Sequence, residues 1–445
     1  MLRKTERQAA TEGKAQPAPP ASAPLRVLVV GHMHPRVARG GAEIAAYQMY
    51  ATLREMPDVQ AWFAGASGGK VAAPLGTWVF QPFGADEFVL GDSAYDHWSH
   101  TSQAPYLGKE FRALLAELKP DIVHFHHFAN IGVEAFLHVR QAAPQARIVL
   151  TLHEFLAICH HFGQMVWRPS LEFCHRASPR DCARCFPDRT ENDFFLRQIY
   201  LQRFFGLVDH FIAPSRFLAD RYIDWGVEAA RISVIENGQT TASTPGPAAP
   251  PPRNASTLVL GFFGQLSVLK GVGVLLDAVE ELTRAPPKLR RIRIEIHGDA
   301  SNQPAELRET IEARLKQGSA LVSLHGAYDN SQVQRLMRQC HAVLVPSIWW
   351  ENSPLVIQEA FSARRPVICS DIGGMAEKVR DGQDGFHFRA RSGAALADLL
   401  RDLADEPDRL AALNETIAEP PTLAETVATT TTLYRQLLAA PPRLD

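Results

Sequence analysis

The sequence predicts two doubly wound α/β domains joined by a linker, on three observations. Short apolar runs rich in β-branched residues alternate with helical patterns, as parallel strands covered on both faces do. The alternation stops at residues 239–256, QTTASTPGPAAPPPRNAS, a stretch with five prolines and no large apolar residue, which reads as a linker. It then restarts and continues toward the C-terminus.

Residues 1–24 are rich in Ala, Pro and Gln without apolar periodicity, and read as a disordered tail. The first strand is Leu25–Val30, followed by a Gly-rich turn and a helical pattern over Ala42–Leu53. Further strands are expected at Val59–Phe63, Ile122–Phe125, Ile148–Leu152 and Val208–Ile212, with helices such as Ile131–Arg140 and Asp193–Phe205 between them. The first domain therefore occupies 25–238. After the linker, strand Leu258–Phe263 precedes a helix at Val272–Leu282. Strands at Ile292–Ile296, Val322–His325, Ala342–Val345, Pro366–Cys369 and Gly385–Phe388 complete a second domain over 257–420. A last helix, about Ala424–Leu438, lies within a terminal segment 421–445, and a return of that helix onto the first domain is left open.

Composition narrows the function classes. The 445 residues are 46% hydrophobic and 21% charged, which excludes a wholly disordered chain. The net charge of −2 lacks the basic excess of a nucleic-acid binder. No run of 18 apolar residues occurs, so no membrane span is expected, and the N-terminus has no apolar core of a secretory signal. Six Cys without such a signal point to a reducing cytoplasm.

The segment WWENSPLVIQEAF, Trp349–Phe361, carries most of the chemistry. Glu351 and Glu359 stand on either side of a helix start, with Ser353 expected as the N-cap and Pro354 as the first helical residue. Free N–H groups there favour an anion such as phosphate, and the two carboxylates can accept hydrogen bonds from sugar and ribose hydroxyls. A capped core helix with one solvated Glu at each end would show the same pattern.

This segment resembles the E-x7-E element of retaining glycosyltransferases of family 4, which have the GT-B fold. Other segments resemble that family in the same order: RGGAEIAAYQM (Arg39–Met49), HFIAPSRF (His210–Phe217), SVIENG (Ser233–Gly238), GFFGQLSVLKGVGVLLDA (Gly261–Ala278), HAVLVPS (His341–Ser347) and VICSDIGGMAEKVRDGQDGF (Val367–Phe386). The likeness covers about residues 25–405. It implies sugar transfer from a nucleotide-activated donor to a saccharide, lipid-linked or small-molecule acceptor, as in cell-surface polysaccharide or glycoconjugate synthesis. No catalytic metal or cofactor is implied.

By position, the resemblance implies catalytic roles for His153, Lys270 and Glu351. Lys270 would neutralise the donor diphosphate, Glu351 would bind donor-sugar hydroxyls and Glu359 would hold the ribose. Gly40 and Gly41 would let the backbone approach the donor. Gly264, Gln265, Asn352, Ser353, Pro354, Leu355 and Val356 complete the implied donor site. Gln265 replaces the family's usual Arg and Asn352 its usual Gly. Among the acceptors implied are lipid-linked ones, and with them peripheral contact at the inner membrane face. IYLQRFFGLV, Ile199–Val208, offers aromatic and basic residues for that contact, as a packed helix also would. A nucleotide-sugar epimerase of the same fold and a non-catalytic nucleotide-binding interaction protein are the alternatives.

Cys159, Cys174, Cys182 and Cys185 fall within 27 residues, and Cys182-x2-Cys185 has the spacing of a zinc half-site. A structural zinc on these four thiols is expected, with unligated thiols and a redox pair as alternatives. Cys340 and Cys369 lie in apolar strands and read as core. The set His124, His126 and His127 looks metal-like, but strand alternation splits its side chains between faces, which favours loop and core histidines.

Overall fold

The computed structural model describes residues 23–38, 40–91, 95–104, 106–240, 257–284, 291–318, 320–406 and 408–441. Most of the terminal tail and of the proline-rich linker read from the sequence lies outside these residues, as does Arg39.

The first unit runs β1 (Leu25–Gly31), α1 (Gly41–Arg54), β2 (Val59–Ala66), β3 (Val79–Gly84), β4 (Glu87–Leu90), β5 (Tyr95–Asp96), β6 (Thr101–Ser102), α2 (Leu107–Leu118), β7 (Ile122–Phe125), α3 (Glu134–Ala142), β8 (Arg147–Thr151), α4 (Pro179–Cys185), α5 (Glu191–Gly206), β9 (His210–Ala213), α6 (Arg216–Trp225) and β10 (Ile232–Val234). The second runs β11 (Leu258–Phe263), α7 (Val272–Thr283), β12 (Ile292–His297), α8 (Ala305–Gln317), β13 (Val322–Gly326), α9 (Val333–Met337), β14 (Ala342–Val345), α10 (Leu355–Ser362), β15 (Val367–Ser370), α11 (Gly373–Lys378), β16 (Gly385–Phe388), α12 (Gly393–Asp405) and α13 (Asp408–Leu413), and the chain closes with α14 (Leu423–Ala439).

Two separate sheets result. The first has eight strands in the order β10-β9-β8-β7-β1-β2-β4-β3, and the second six in the order β13-β12-β11-β14-β15-β16. All pairings in the two are parallel except β3 against β4. The strand order reverses between β1 and β7 in one sheet and between β11 and β14 in the other. Loops leaving the carboxyl ends of such strand pairs diverge and open a crevice, which is where ligands bind in doubly wound sheets. The Gly264–Lys270 loop follows β11 and the Pro346–Pro354 loop follows β14, so both start at one crevice.

The central strands are buried along almost their whole length: β1, β7, β8 and β14 carry the apolar runs that parallel sheets require. Helix α14 packs against the first sheet, with Val427, Leu433 and Tyr434 in one cluster with Val27, Val29, Met49 and Tyr50. Its start is fixed by a capping box, Thr422 with Glu425, and by Gln239, whose N–H donates to Pro421 O and whose carbonyl accepts from Leu423 N–H.

Helix α5 divides the segment 199–208 between core and solvent. Leu201 and Phe205 are buried, while Ile199 and Arg203 are exposed. No helix among the described residues is long and apolar enough to cross a membrane.

Candidate donor site between the two sheets

A cavity of about 570 Å³ lies where the two crevices face each other. Its walls include Gly40, Gly41, Ile44 and Gln48 from the start of α1, and Gly264, Lys270, Ser347, Trp349, Glu351 and Glu359 from the second unit. The loop after β11 delivers Lys270, and the loop after β14 delivers Glu351. Their close approach depends on Gly271. It has φ +78°, and a Cβ there would lie 1.8 Å from the carbonyl oxygen of Pro346. A Gly271→Ala variant is expected to lose at least about 1–3 kcal/mol from the backbone strain alone, with the clash added, as a fall in the urea midpoint. An unchanged midpoint would contradict the packing described here.

Glu351 is buried, and burial alone would raise its pKa. The Lys270 ammonium, with hydrogen bonds from Lys270, Trp349 and Ser347, outweighs this and holds the carboxyl below the usual range. All three donors converge on Oε1: Lys270 Nζ at 2.6 Å, Ser347 Oγ at 2.9 Å and Trp349 Nε1 at 2.9 Å. Oε2 is thereby left for the cavity. The Lys270 ammonium also lies 5.8 Å from the Trp349 ring centroid. At the other end, Glu359 is pushed above the usual carboxylate range by burial, opposed by a hydrogen bond from Asn330.

Helix α10 begins at Leu355, with Pro354 in the cap position at ψ 121° and no side-chain cap. This corrects the expected start: Pro354 is extended, one residue ahead of the helix, and Ser353 does not cap it. The Ser353 hydroxyl is instead buried in the cavity wall without a hydrogen-bond partner. Ile357 N–H bonds to Pro354 O, whereas the first-turn amides of Leu355 and Val356 have no acceptor within the helix, and both residues line the cavity.

The sequence-derived set is therefore largely brought together. Gly40, Gly41, Gly264, Lys270, Glu351, Ser353, Pro354, Leu355, Val356 and Glu359 share one cavity. Gln265 does not: it is exposed and outside the lining. His153 and Asn352 stand beside the cavity rather than in its wall, joined by a 2.8 Å hydrogen bond from Asn352 Nδ2 to the His153 carbonyl. Trp349, Ser347, Tyr328 and Asn330 were not singled out from sequence, although Ser347 and Trp349 sit within the motif segments.

The zinc expectation finds no support. Among the described residues no group of three or more His, Cys, Asp or Glu side chains is placed to hold a metal ion. Cys159, Cys174, Cys182 and Cys185 are free. Cys182 and Cys185 ride on helix α4 instead of a metal-binding turn. Burial, with the neighbouring cysteines, pushes the Cys159 thiol up to about 11 and the Cys182 thiol up to about 12. Their segment spans the cleft: Trp350, next to Glu351, donates to Cys174 O at 3.2 Å and packs on Phe173 at 4.6 Å between ring centroids. Arg391 lies 4.1 Å over the same Phe173 ring.

His124, His126 and His127 are buried on the first unit. The rings of His124 and His126 lie 4.5 Å apart, while His127 turns to Glu154 at 3.1 Å.

Two family models match the chain: Glycosyltransferase Family 4 over residues 39–242 and Glycosyl transferases group 1 over residues 257–406. The chain belongs to the family 4, group 1 glycosyltransferases. Among curated relatives, a glycogen synthase of Mycobacterium tuberculosis is 30% identical over 200 residues, 45% of this chain and 46% of that protein. A D-inositol 3-phosphate glycosyltransferase of Nocardia farcinica is 29% identical over 222 residues, 48% and 49% of the two chains. The match thus spans about half the length of these relatives. Among solved structures, sucrose-phosphate synthase of Thermosynechococcus elongatus gives a TM-score of 0.67 at 17% identity, covering 94% of this chain and 100% of that one. Anabaena HepE, solved with UDP and glucose, gives 0.63 at 16% identity, covering 92% and 99%. These likenesses establish the GT-B fold.

Proposed function

We propose that the cavity binds a nucleotide-diphosphate sugar and that the protein transfers the sugar, with retention, to a hydroxyl of an acceptor held on the side of the first sheet. The observation that carries this reading is the meeting of Lys270, Glu351, the α10 amides and Glu359 in one cavity between two doubly wound sheets. The diphosphate is assigned to the Lys270 ammonium and the Leu355 and Val356 amides, where a helix start adds positive potential. Glu351 Oε2 accepts from a sugar hydroxyl, and Glu359 accepts from the ribose. The bond from the anomeric carbon to the diphosphate breaks, and the acceptor oxygen bonds to that carbon on the same face. The acceptor proton passes to the departing phosphate oxygen. Lys270 stabilises the charge developing there. His153 is assigned to the active site beside the sugar.

A thermal-shift panel of nucleotide sugars tests the reading, with UDP-glucose first because a similar fold binds UDP and glucose. A true donor at 100 times its Kd stabilises the protein by about 2.7 kcal/mol, and no stabilisation by any member would contradict the reading. An epimerase would instead consume the donor without any acceptor.

Glu359→Gln is expected to weaken nucleoside diphosphate binding by about ten- to a hundredfold, the worth of a charge-assisted hydrogen bond. The wild type has a pH signature too. Because Glu359 titrates above the usual carboxylate range and the ribose favours its ionised form, binding releases a proton, and affinity falls as pH drops through that raised pKa. Calorimetry of UDP in buffers of different ionisation enthalpy checks both. A pH-independent affinity, equal in the Glu359→Gln variant, would remove the assignment.

A further inference from the structure

Behind His153 lies a set of buried groups that the transfer reaction does not use directly. His126 Nδ1 is 3.2 Å from His153 Nε2. On its other side, His126 Nε2 is 3.4 Å from Met49 Sδ of helix α1. Helix α14 closes the set from below, with the Tyr434 hydroxyl 3.8 Å from the same Met49 sulfur and 2.5 Å from His124 Nδ1.

The partners decide where the protons sit. A thioether has no hydrogen to give and only accepts, weakly. The contact with Met49 is therefore satisfied only when His126 carries its proton on Nε2. The reverse tautomer would set a bare ring nitrogen against the sulfur lone pairs inside the core. Burial pushes His126 well below its usual range and His153 down to about 3, so each ring is neutral and holds one proton. His126 Nδ1 is then a lone-pair acceptor, and the hydrogen between the two rings belongs to His153 Nε2.

We propose that His126 is a positioning residue that holds His153 in its Nε2-protonated form, so that His153 presents Nδ1 as an acceptor to a hydroxyl of the bound sugar. His153 is anchored at its backbone as well, by Asn352 from across the cleft. Its ring is within electrostatic reach of His127, His32 and Glu43, and Glu43 lies beside Gly40 of the cavity wall. An acceptor nitrogen there selects for a neutral hydroxyl and against a carboxylate or phosphate oxygen, which would bring lone pair to lone pair. Met49 belongs to the helix whose first residues line the cavity, so the same helix supplies both the donor wall and the atom that sets the tautomer.

This rests on the assignment of His153 to the active site, and the test separates the two. Two-bond proton–nitrogen NMR correlations on histidine-labelled protein, with the His153 signal assigned by its loss in His153→Gln, read the tautomer without any turnover. The wild type is expected to show His153 protonated on Nε2. His126→Leu removes the acceptor, and is expected to lose that pattern and to lower kcat for UDP-glucose turnover about tenfold or more, with the donor KM within threefold. His126→Asn puts an amide oxygen near the position of Nδ1, and is expected to restore both the tautomer and most of kcat. Should the Leu variant not fold, the wild-type and Asn spectra still decide. His153 protonated on Nδ1 in the wild type, or a tautomer and kcat unmoved in a folded His126→Leu, would overturn the proposal. A wild type that shows the Nε2 tautomer but turns over no nucleotide sugar would sink the transfer reading and leave the tautomer assignment standing.

Discussion

Lys270→Ala is expected to lower turnover by about 10²-fold or more, the usual cost of removing one electrostatic stabiliser of a developing oxyanion. Two effects act together. The departing diphosphate loses its ammonium, and Glu351 loses the cation 2.6 Å from its Oε1. The second effect has a definite sign. Lys270 is what lowers the Glu351 pKa against the pull of burial, so the variant's carboxyl titrates higher. Residual activity should then fall off at a higher pH than in the wild type as pH is lowered. The fold should survive, because Lys270 sits in a loop ahead of α7 with its side chain 39% exposed. Steady-state kinetics across pH, with the melting temperature as a control, check this. Near-normal turnover would show that another base serves the diphosphate.

Glu351→Gln is expected to reduce kcat/KM by about 10²-fold while leaving the affinity for free nucleoside diphosphate within about threefold of the wild type. The amide keeps an oxygen where Lys270, Ser347 and Trp349 donate. It places an NH₂ where a carboxylate oxygen should accept from the sugar. The loss is therefore confined to steps involving the sugar, which a bare nucleotide does not report. Equal losses of nucleotide affinity in Glu351→Gln and Glu359→Gln would refute the division of labour between the two carboxylates.

The cluster of Lys270, Glu351 and Glu359 around one cavity was legible because its parts are local in sequence. Glu351, Ser353, Leu355 and Glu359 sit within one loop and one helix, and the strand–loop–helix element that places Lys270 is just as short. What was not legible depends on long-range contacts. The pairing of His126 with Met49 and the approach of Tyr434 to His124 join residues on β7, α1 and α14, and no local pattern encodes them. The cysteine spacing is ambiguous for a related reason: a C-x2-C pair reads alike whether it lies on a turn or on a helix, and here it lies on α4. The helix boundary at Pro354 failed because proline is equally at home in an extended cap and in the first helical turn. Strands β3 and β4 went unnoticed: β3 is half exposed, carries Pro82 and pairs antiparallel at the sheet edge, without the apolar run of the central strands, and β4 is a four-residue strand that opens on Glu87.

The central claim is sugar transfer with retention from the cavity between the two sheets. It is tested most directly with the nucleotide sugar that most stabilises the protein, labelled with carbon-13 at the anomeric position and turned over in dilute methanol as a surrogate acceptor. Proton–carbon NMR then reads the configuration of the first-formed methyl glycoside. The account predicts the donor's own anomeric configuration, and loss of the product in Lys270→Ala. A first-formed product of the opposite configuration, or one formed equally well without Lys270, would contradict it.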